Sequence, residues 1–402
     1  MRTRGPWQEW QHGVMRTALE LARLGKGKTY PNPAVGAVLV KNGEIVGRGF
    51  HRGWGRDHAE IEAIKDAGRR SRGADLYVSL EPCCHFGQTP PCSEAVKGSG
   101  IRQVLTSTLD PNPLVNGEGI KALAAAGIRV DVGLEAQAAT ALNEAYFKFM
   151  KTGKPFVTLK VAQTLDGKIA TSTGNARWIT SMASRRRVRA LRAEAQAIIV
   201  GARTVILDDP TLLPEPRRAG HYYRCVLDTY LSTPPGSALV RSAGEFPLVV
   251  FSGKPDRWHA KEFARRRHRL ERSGAIVEPV RVARPGMLDL KDVVDTLAAM
   301  KTMHIWVEGG SAVFTSFLRG GLVDRMIAFV APRIMGGGKS LGSFGDLRVR
   351  VPDDCRDFKI EALECVGGDL MVTVYPLGTR PVGSKLRKGG GTGASPGRRR
   401  RV

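Results

Sequence analysis

Two stretches decide the fold of this chain: His58-Ala59-Glu60, and the block EPCCHFGQTPPC over residues 81–92. They contain one imidazole, from His58, and two thiolates, from Cys83 and Cys92. These are the ligand types that zinc accepts in a tetrahedral shell. Three protein ligands leave the fourth position open, and a water bound there becomes acidic enough to act as a nucleophile near neutral pH. The three residues together therefore predict a catalytic zinc site.

Glu60, two residues after the histidine, is the predicted catalytic residue. A carboxylate at this position can carry a proton from water to a leaving amine, which is its role in zinc deaminases, where it is not a metal ligand. A His-x-Glu triplet alone carries little weight, and cysteine is often a small buried residue of the core. Here, however, the triplet opens a helical pattern, and Cys83 follows an alternating strand at residues 76–80. Cys84 remains an alternative zinc ligand.

A second domain is predicted to begin at the polar, turn-rich joint over residues 151–155. Beyond it, short apolar strands alternate with helical stretches, which indicates a mostly parallel α/β sheet. The predicted strands are 156–162, 197–200, 224–227, 248–251, 305–307 and 325–330, and the predicted helices are 184–195, 289–300 and 313–319. The glycine turn Gly309-Gly310 leads into a helix N-terminus that could hold a phosphate, although from the residues alone an ordinary loop is the more frequent explanation.

Composition favours a two-domain enzyme of the reducing cytoplasm. The 402 residues suit two domains, and no apolar run approaches the roughly 18–20 residues that span a bilayer. Six cysteines in a chain of this length, two of them assigned to the metal, do not suggest a disulfide framework.

The formal net charge of +24 suits anionic small molecules, which a basic surface attracts. Part of this charge lies in a Gly/Arg-rich tail over residues 378–402, which we expect to be disordered. Nucleic-acid binding by the tail is the less favoured explanation, because a short arginine cluster gives only non-specific attraction.

Further motifs extend the pattern over both halves of the chain. In the N-terminal half they are PNPAVGAV at 31–38, His51 and DPNP at 110–113; in the C-terminal half they are LDGK at 165–168, WITS at 178–181, GART at 201–204, DDP at 208–210 and VEGG at 307–310. With the cysteine block they resemble the bifunctional deaminase–reductase family of riboflavin biosynthesis. The resemblance implies an α/β chain with a cytidine-deaminase-like three-layer αβα domain over 1–150 and a dihydrofolate-reductase-like domain over 151–377.

The activity implied by this resemblance has two steps. Zinc, one ion per chain, would support hydrolytic deamination of 2,5-diamino-6-ribosylamino-4(3H)-pyrimidinone 5′-phosphate. NADPH would then reduce the ribosyl group to ribityl, giving 5-amino-6-(5-phosphoribitylamino)uracil. The implied partners are small phosphorylated pyrimidines, without a membrane or nucleic acid, and we expect a homo-oligomer.

The resemblance also implies residue roles. The first substrate would contact Asn32, His51 and Asn112; NADPH would contact Ala162, Trp178, Thr204, Asp208, Thr229, Gly310, Ser311, Ala312, Val313, Phe314, Thr315 and Ser316; and the second substrate would contact Ala176, Arg192, Leu212 and Glu308. Three of these residues have ordinary alternatives: Trp178 as a core aromatic, Arg192 on a solvated helix face, and Asp208 as a turn cap.

Four positions depart from the family pattern. Gln88 and Glu118 stand where a cation is usual, Ala176 where Ser or Thr is common, and Arg217 is displaced by two residues from the arginine expected to hold a substrate phosphate. Because of these departures, a second hypothesis is that only one of the two activities, deaminase or reductase, works in this chain. A third hypothesis, a non-catalytic zinc module with an RNA-binding tail, is disfavoured by the intact Glu60, because a structural zinc site needs no proton shuttle.

Overall fold

The computed structural model describes residues 7–87, 89–215, 222–254 and 259–378. Gln88, Arg217 and the tail beyond Gly378 lie outside the described residues. The helices are α1 (Glu9–Gly25), α2 (Ala59–Ala67), α3 (Cys92–Gly98), α4 (Glu118–Ala125), α5 (Ala136–Leu142), α6 (Glu144–Thr152), α7 (Met182–Arg192), α8 (Ala202–Asp208), α9 (Ala238–Arg241), α10 (Ala260–Arg272), α11 (Leu290–Ala299) and α12 (Ser311–Arg319). None of them is both long enough and apolar enough to cross a bilayer.

The strands are β1 (Gly36–Lys41), β2 (Glu44–Phe50), β3 (Asp75–Val78), β4 (Gln103–Thr106), β5 (Arg129–Val132), β6 (Phe156–Thr164), β7 (Lys168–Ala170), β8 (Ala197–Gly201), β9 (Tyr223–Leu227), β10 (Leu248–Ser252), β11 (Ile276–Pro279), β12 (Val282–Arg284), β13 (Met287–Leu288), β14 (His304–Val307), β15 (Arg325–Ala331), β16 (Leu341–Gly342), β17 (Phe358–Val366) and β18 (Asp369–Pro376). Two short antiparallel pairs, β12 with β13 and β7 with β16, lie outside the two main sheets.

Five strands form the N-terminal sheet, in the order β2-β1-β3-β4-β5. Side chains alternate between its faces. On β1, Ala37 and Leu39 pack with α2, α3 and α4, whereas Val38 and Val40 pack with α1 and α5. The sheet is therefore covered on both sides, and the predicted three-layer αβα domain is confirmed.

Helix α2 lies unusually close to this sheet because two residues of β2 have no side chain. A Cβ at Gly49 would lie 2.3 Å from the carbonyl oxygen of Ala59, and one at Gly47 would lie 2.4 Å from that of Ala63. Separations below about 3 Å do not occur between real Cβ atoms and oxygens. The two glycines therefore fix where α2 begins, and with it the position of His58, the N-cap residue of that helix.

Nine strands form the C-terminal sheet, in the order β11-β10-β9-β8-β14-β6-β15-β18-β17. The strands from β11 to β15 in this order are parallel, and β18 and β17 complete the sheet as antiparallel strands. On β8, Ile198 and Val200 face one core, and Ala197 and Ile199 face the other. All six predicted strands and all three predicted helices overlap observed elements. The elements that were missed in this half are β7, β11, β12, β13, β16, β17, β18, α8, α9 and α10.

The two halves contact each other through helix α6. Glu144 forms an ion pair with Arg325 of β15, which is only 8% exposed, and accepts a hydrogen bond of 2.7 Å from the hydroxyl of Tyr375. Lys148 pairs with Asp324 at 2.6 Å. An apolar cluster beside these pairs contains Leu80, Tyr146, Phe147 and Met303. The contact between the domains is therefore partly buried and carries opposite charges.

The substitution Gly49→Ala is expected to lower the free energy of unfolding by about 1–3 kcal/mol, because overpacking forces the backbone of α2 away from β2. It should also lower the zinc content, since His58 moves with the helix. Urea denaturation and metal analysis of the purified variant check both effects. Gly98→Ala is the matched control, because no atom lies within 4 Å of a Cβ built at Gly98. Equal stability of the two variants would contradict this account of the packing.

Candidate active sites

The three predicted zinc ligands lie together, with His58 at the start of α2, Cys92 at the start of α3 and Cys83 in the loop before α3. Their ligand atoms are all within 4.8 Å of one another. His58 Nδ1 lies 3.2 Å from Cys92 Sγ and 3.5 Å from Cys83 Sγ. Tetrahedral zinc with Zn–S of about 2.3 Å and Zn–N of about 2.0 Å places nitrogen and sulfur about 3.5 Å apart, so the geometry fits this metal. Cys84 stands outside the cluster, with its Sγ 3.9 Å from the carbonyl oxygen of Leu114.

Glu60 lies in the first turn of α2 and lines the same cavity as the zinc cluster. Burial raises the pKa of Glu60 to about 7, although the positive charge of His58 opposes the shift. A carboxyl group whose pKa lies near neutrality can both accept and release a proton at physiological pH. The structure therefore gives Glu60 the properties of a proton shuttle.

Asn32 and His51 form an oriented pair on the wall of this cavity. His51 Nδ1 lies 3.0 Å from the carbonyl oxygen of Asp57, and His51 Nε2 lies 3.1 Å from the amide nitrogen of Asn32. Burial lowers the pKa of His51, so the ring is neutral, donates through Nδ1 and accepts through Nε2. The side-chain oxygen of Asn32 is thereby left to accept a hydrogen bond from a ligand.

The opposite wall is built on two buried carboxylates. Glu81 accepts hydrogen bonds from the backbone N–H groups of Asp110, Gly117 and Ile120, at 3.1, 2.9 and 3.2 Å. Asp110 accepts from the backbone N–H of Asn112 at 2.8 Å and from the hydroxyl of Tyr146 at 2.9 Å. These bonds fix the loop that carries Asn112.

These residues line a cavity of about 140 Å³. It contains predicted residues from all parts of the site: Asn32, His51, His58, Glu60, Cys83 and Asn112. Further lining residues that were not predicted include Trp54, Arg56, His85, Asp110 and Tyr146. His85 and Asp110 belonged to quoted motifs, but the sequence offered no signal for Tyr146, which reaches the cavity from the distant helix α6.

Of the departures from the family pattern, Glu118 lies away from this cavity. It begins helix α4, its side chain is exposed, and it pairs with Lys121 at 2.6 Å. An acid at this position therefore does not act on a ligand of the deaminase cavity.

A second, larger cavity of about 650 Å³ opens in the C-terminal domain, at the carboxyl ends of its parallel strands. Most of the predicted residues line it: Ala162, Ala176, Trp178, Arg192, Thr204, Asp208, Leu212, Glu308, Gly310, Ser311, Ala312, Val313 and Phe314. Thr229, Thr315 and Ser316 do not. Thr315 is buried and donates to the carbonyl oxygen of Ser311 at 2.6 Å. The cavity gathers residues from several strand ends, as open α/β sheets commonly do at ligand sites.

Glu308 is the centre of a charged network in this cavity. Arg192 contacts both of its carboxylate oxygens, at 2.5 and 2.7 Å, and Lys160 lies 3.4 Å away. The indole N–H of Trp306 donates to Glu308 at 2.7 Å. Burial opposes ionisation, but the two cations and the indole outweigh it and hold the pKa of Glu308 well below its usual range. Glu308 therefore stays ionised and orients Arg192 and Lys160.

The structure also distinguishes the alternatives left open for two residues. Trp178 is 62% exposed and stacks against the guanidinium of Arg185 at 4.3 Å, so it is not a core aromatic. Arg192 points into the cavity and not to solvent. Lys160, Arg177, Arg203 and Asp209 also line the cavity and were not predicted. Lys160 had a recognisable signal, since it is a charged residue inside an apolar strand.

The two sites, each in its own domain, define the class of protein. Residues 8–108 match the family model of the cytidine and deoxycytidylate deaminase zinc-binding region, and residues 155–371 match that of the RibD C-terminal domain. With the His58–Cys83–Cys92 cluster, these matches identify a zinc-dependent deaminase joined to a reductase.

Relatives extend over nearly the whole chain. The riboflavin biosynthesis protein RibD of Aquifex aeolicus (strain VF5) is 43% identical over 369 residues, covering 91% of this chain and 98% of that protein. The protein of the same name from Escherichia coli (strain K12) is 37% identical over 370 residues, covering 89% and 96%. The chain therefore belongs to the RibD family of riboflavin biosynthesis proteins.

Solved structures agree with this assignment. Acinetobacter baumannii RibD, form 1, matches with a TM-score of 0.79 and 33% identity, covering 92% of this chain and 99% of that chain. A diaminohydroxyphosphoribosylaminopyrimidine deaminase/5-amino-6-(5-phosphoribosylamino)uracil reductase from Thermotoga maritima matches with a TM-score of 0.76 and 32% identity, with the same coverage. The predicted fold, the bifunctional class and the cofactors zinc and NADPH are confirmed, and the non-catalytic zinc module is ruled out.

The variant Glu60→Gln is expected to retain stoichiometric zinc and its fold while deamination slows by about 10²–10⁴-fold, because the carboxylate moves protons and does not hold the metal. Metal analysis and an assay of ammonia release check the two parts. Glu62→Gln is the control, since Glu62 lies on the same helix, pairs with Arg52 at 3.1 Å and is outside the cavity. Loss of zinc from Glu60→Gln would show that the metal ligands are misassigned.

Proposed function

We propose that the chain deaminates 2,5-diamino-6-ribosylamino-4(3H)-pyrimidinone 5′-phosphate at the zinc site. We propose that it then reduces the ribosyl side chain with NADPH in the larger cavity, giving 5-amino-6-(5-phosphoribitylamino)uracil. The observation that carries this proposal is that one chain contains both sites. A zinc-ligand cluster lies beside the buried carboxylate of Glu60, and a separate cavity of about 650 Å³ contains the charged Glu308 network. The activities named for the similar Thermotoga maritima protein support the choice of substrates.

In the first site, His58, Cys83 and Cys92 would hold zinc, which supplies Lewis acidity and makes water a usable nucleophile. Glu60 accepts the proton of that water at its carboxylate and delivers it to the departing amine. Asn32, held by His51, accepts a hydrogen bond from the pyrimidine, and Asn112 contacts the substrate from the opposite wall of the cavity. The walls built by Glu81 and Asp110 keep these groups in place, so little reorganisation is needed during the reaction.

In the second site, NADPH supplies the hydride. The residues proposed to hold it surround the start of α12, where Gly310 is the N-cap and the first backbone N–H groups are free to bind an anion. Arg192 and Lys160, oriented by the ionised Glu308, present cationic N–H donors to the oxygens of the second substrate. Glu308 itself cannot donate a proton, because it remains ionised.

The departures from the family pattern do not remove either set of groups. Glu118 is outside the first cavity, and Ala176 lines the second without interrupting the Glu308 network. We therefore propose that both halves are active. Gln88 and Arg217 lie outside the described residues, and their effect on the affinity for phosphate stays a prediction.

Three more features are proposed. The division into domains at residues 150 and 151 is supported by the end of α6 at Thr152 and the start of β6 at Phe156. A homo-oligomer is supported by the exposed edge strand β17, where Ile360 and Leu363 face solvent. A reducing cytoplasmic location is supported by the six cysteines, all within the described residues and all unpaired.

The segment over residues 154–377 is expected to fold alone and to bind NADPH in preference to NADH. It contains the whole nine-stranded sheet with both of its apolar cores, and Arg325 becomes solvated when Glu144 is removed. Circular dichroism and titration of the purified fragment with each cofactor test this, with the full chain as reference. Failure to bind either cofactor would refute the reductase assignment of this segment, whereas preference for NADH would refute only the choice of cofactor.

The variant Arg192→Lys is expected to lower kcat/KM of the reductase step by about tenfold or more, since lysine cannot contact both oxygens of Glu308 in a planar, bidentate pair. Ammonia release should remain unchanged. Separate assays of the two half-reactions check this. Arg189→Lys is the control, because Arg189 lies on the same helix and pairs with the exposed Glu215 at 2.5 Å. A reductase rate unaffected by Arg192→Lys would show that the bidentate pair is not needed in this cavity.

A further inference from the structure

The deaminase cavity has an unusual balance of charge for a site that takes a phosphate ester. Its described lining carries three carboxyl groups, from Glu60, Glu81 and Asp110. Among these lining residues, Arg56 is the one arginine or lysine. A phosphate dianion needs cationic or N–H donors to replace its water, and carboxylates repel it. The lining therefore offers a single side chain with a permanent positive charge that suits a phosphate.

Arg56 is free to take that role. Its side chain is exposed, and its guanidinium forms no hydrogen bond or ion pair with any residue in the described part of the chain. The neighbouring cations are already engaged. Lys65 pairs with Asp57, which is the carboxylate next to Arg56 in the sequence, and Arg52 pairs with Glu62. Asp57 is thus neutralised by another residue, and Arg56 keeps an uncompensated charge.

The position of Arg56 matches the expected direction of the substrate. The pyrimidine ring must reach the zinc cluster and Glu60, so the 5′-phosphate, at the far end of the ribose, points away from the metal. Arg56 lies on a tight turn, in which its backbone N–H donates to the carbonyl oxygen of Gly53 at 3.1 Å. Trp54, on the same turn, is exposed and also lines the cavity, so the turn forms part of its entrance.

A second observation points to a ligand in this cavity. His85 lines it, and the buried Nδ1 of His85 has no hydrogen-bond partner among the residues that the structure describes. A buried polar atom left without a partner is costly, and a bound phosphate or ribose oxygen would satisfy it. The cavity therefore presents one free guanidinium and one unsatisfied imidazole.

We propose that Arg56 is the phosphate-anchoring residue of the deaminase site and that His85 is a second donor to the same substrate. The inference rests on the proposed deamination of a phosphoribosyl substrate. It assigns the positive charge at this site to the turn over residues 53–56, while position 88 carries a neutral glutamine. Because the contact is remote from the reacting atoms, it stabilises the ground state and the transition state equally, and it acts on KM and not on kcat.

The test compares the zinc-loaded full chain with Arg56→Ala, Arg56→Lys and Arg52→Ala in assays of ammonia release. Each protein is assayed with the phosphorylated substrate and with its dephosphorylated nucleoside. For the phosphorylated substrate, Arg56→Ala should raise KM by about tenfold at unchanged kcat, and Arg56→Lys should restore most of the loss. The increase should shrink at high salt, since the contact is partly exposed. The nucleoside should show no difference, and the control Arg52→Ala should behave as wild type with both substrates.

Each outcome bears on a distinct claim. An active enzyme whose KM for the phosphorylated substrate is unchanged by Arg56→Ala would overturn the anchoring role alone. An equal change with both substrates, or a loss confined to kcat, would overturn it as well, because neither depends on the phosphate. A wild-type chain that releases no ammonia from either substrate would overturn the proposed deaminase function, and the anchoring role with it.

Discussion

The contact between helix α2 and strand β2 is the constraint on which the deaminase half depends. With hydrogen atoms in place of side chains at Gly47 and Gly49, backbone meets backbone, and this close approach fixes the start of the helix. A similar approach fixes the cysteine loop, since a Cβ at Gly119 would lie 2.0 Å from the carbonyl oxygen of Pro82. Both parts of the metal site are thus positioned by rigid backbone, before any ligand binds.

Three buried glutamates show that the surroundings of a carboxyl group determine its role. Glu60 has a raised pKa because burial dominates, which suits proton transfer. Glu81 is equally buried but is occupied by three backbone N–H groups, so it holds a loop. Glu308 lies between cations and has a lowered pKa, so it orients its partners. Neither burial nor residue type alone distinguishes these roles; the neighbours do.

Much of the fold and of both sites could be predicted from the sequence, and the limits have physical causes. The zinc ligands and the parallel strands leave local signatures, because residue type and spacing carry them. The pairing of β17 with β18 at the sheet edge was missed, since edge strands are half solvated and lack a continuous apolar run. Tyr146 could not be predicted for the deaminase cavity, because only the packing of α6 between the domains brings it there. Arg56 was hidden among many arginines, and its place in the cavity lining, together with its lack of a partner, distinguishes it.

The buried pair of Glu144 and Arg325 limits how the two halves can be exchanged between proteins. A chimera that joined this reductase to a deaminase of other origin would bury Arg325 against a foreign surface, where an unpaired charge costs several kcal/mol. The foreign deaminase would need an Asp or Glu at the position of Glu144, together with an apolar patch that packs against Met303. Recombination of such domains is therefore restricted to partners whose linker helix carries the same charge and shape.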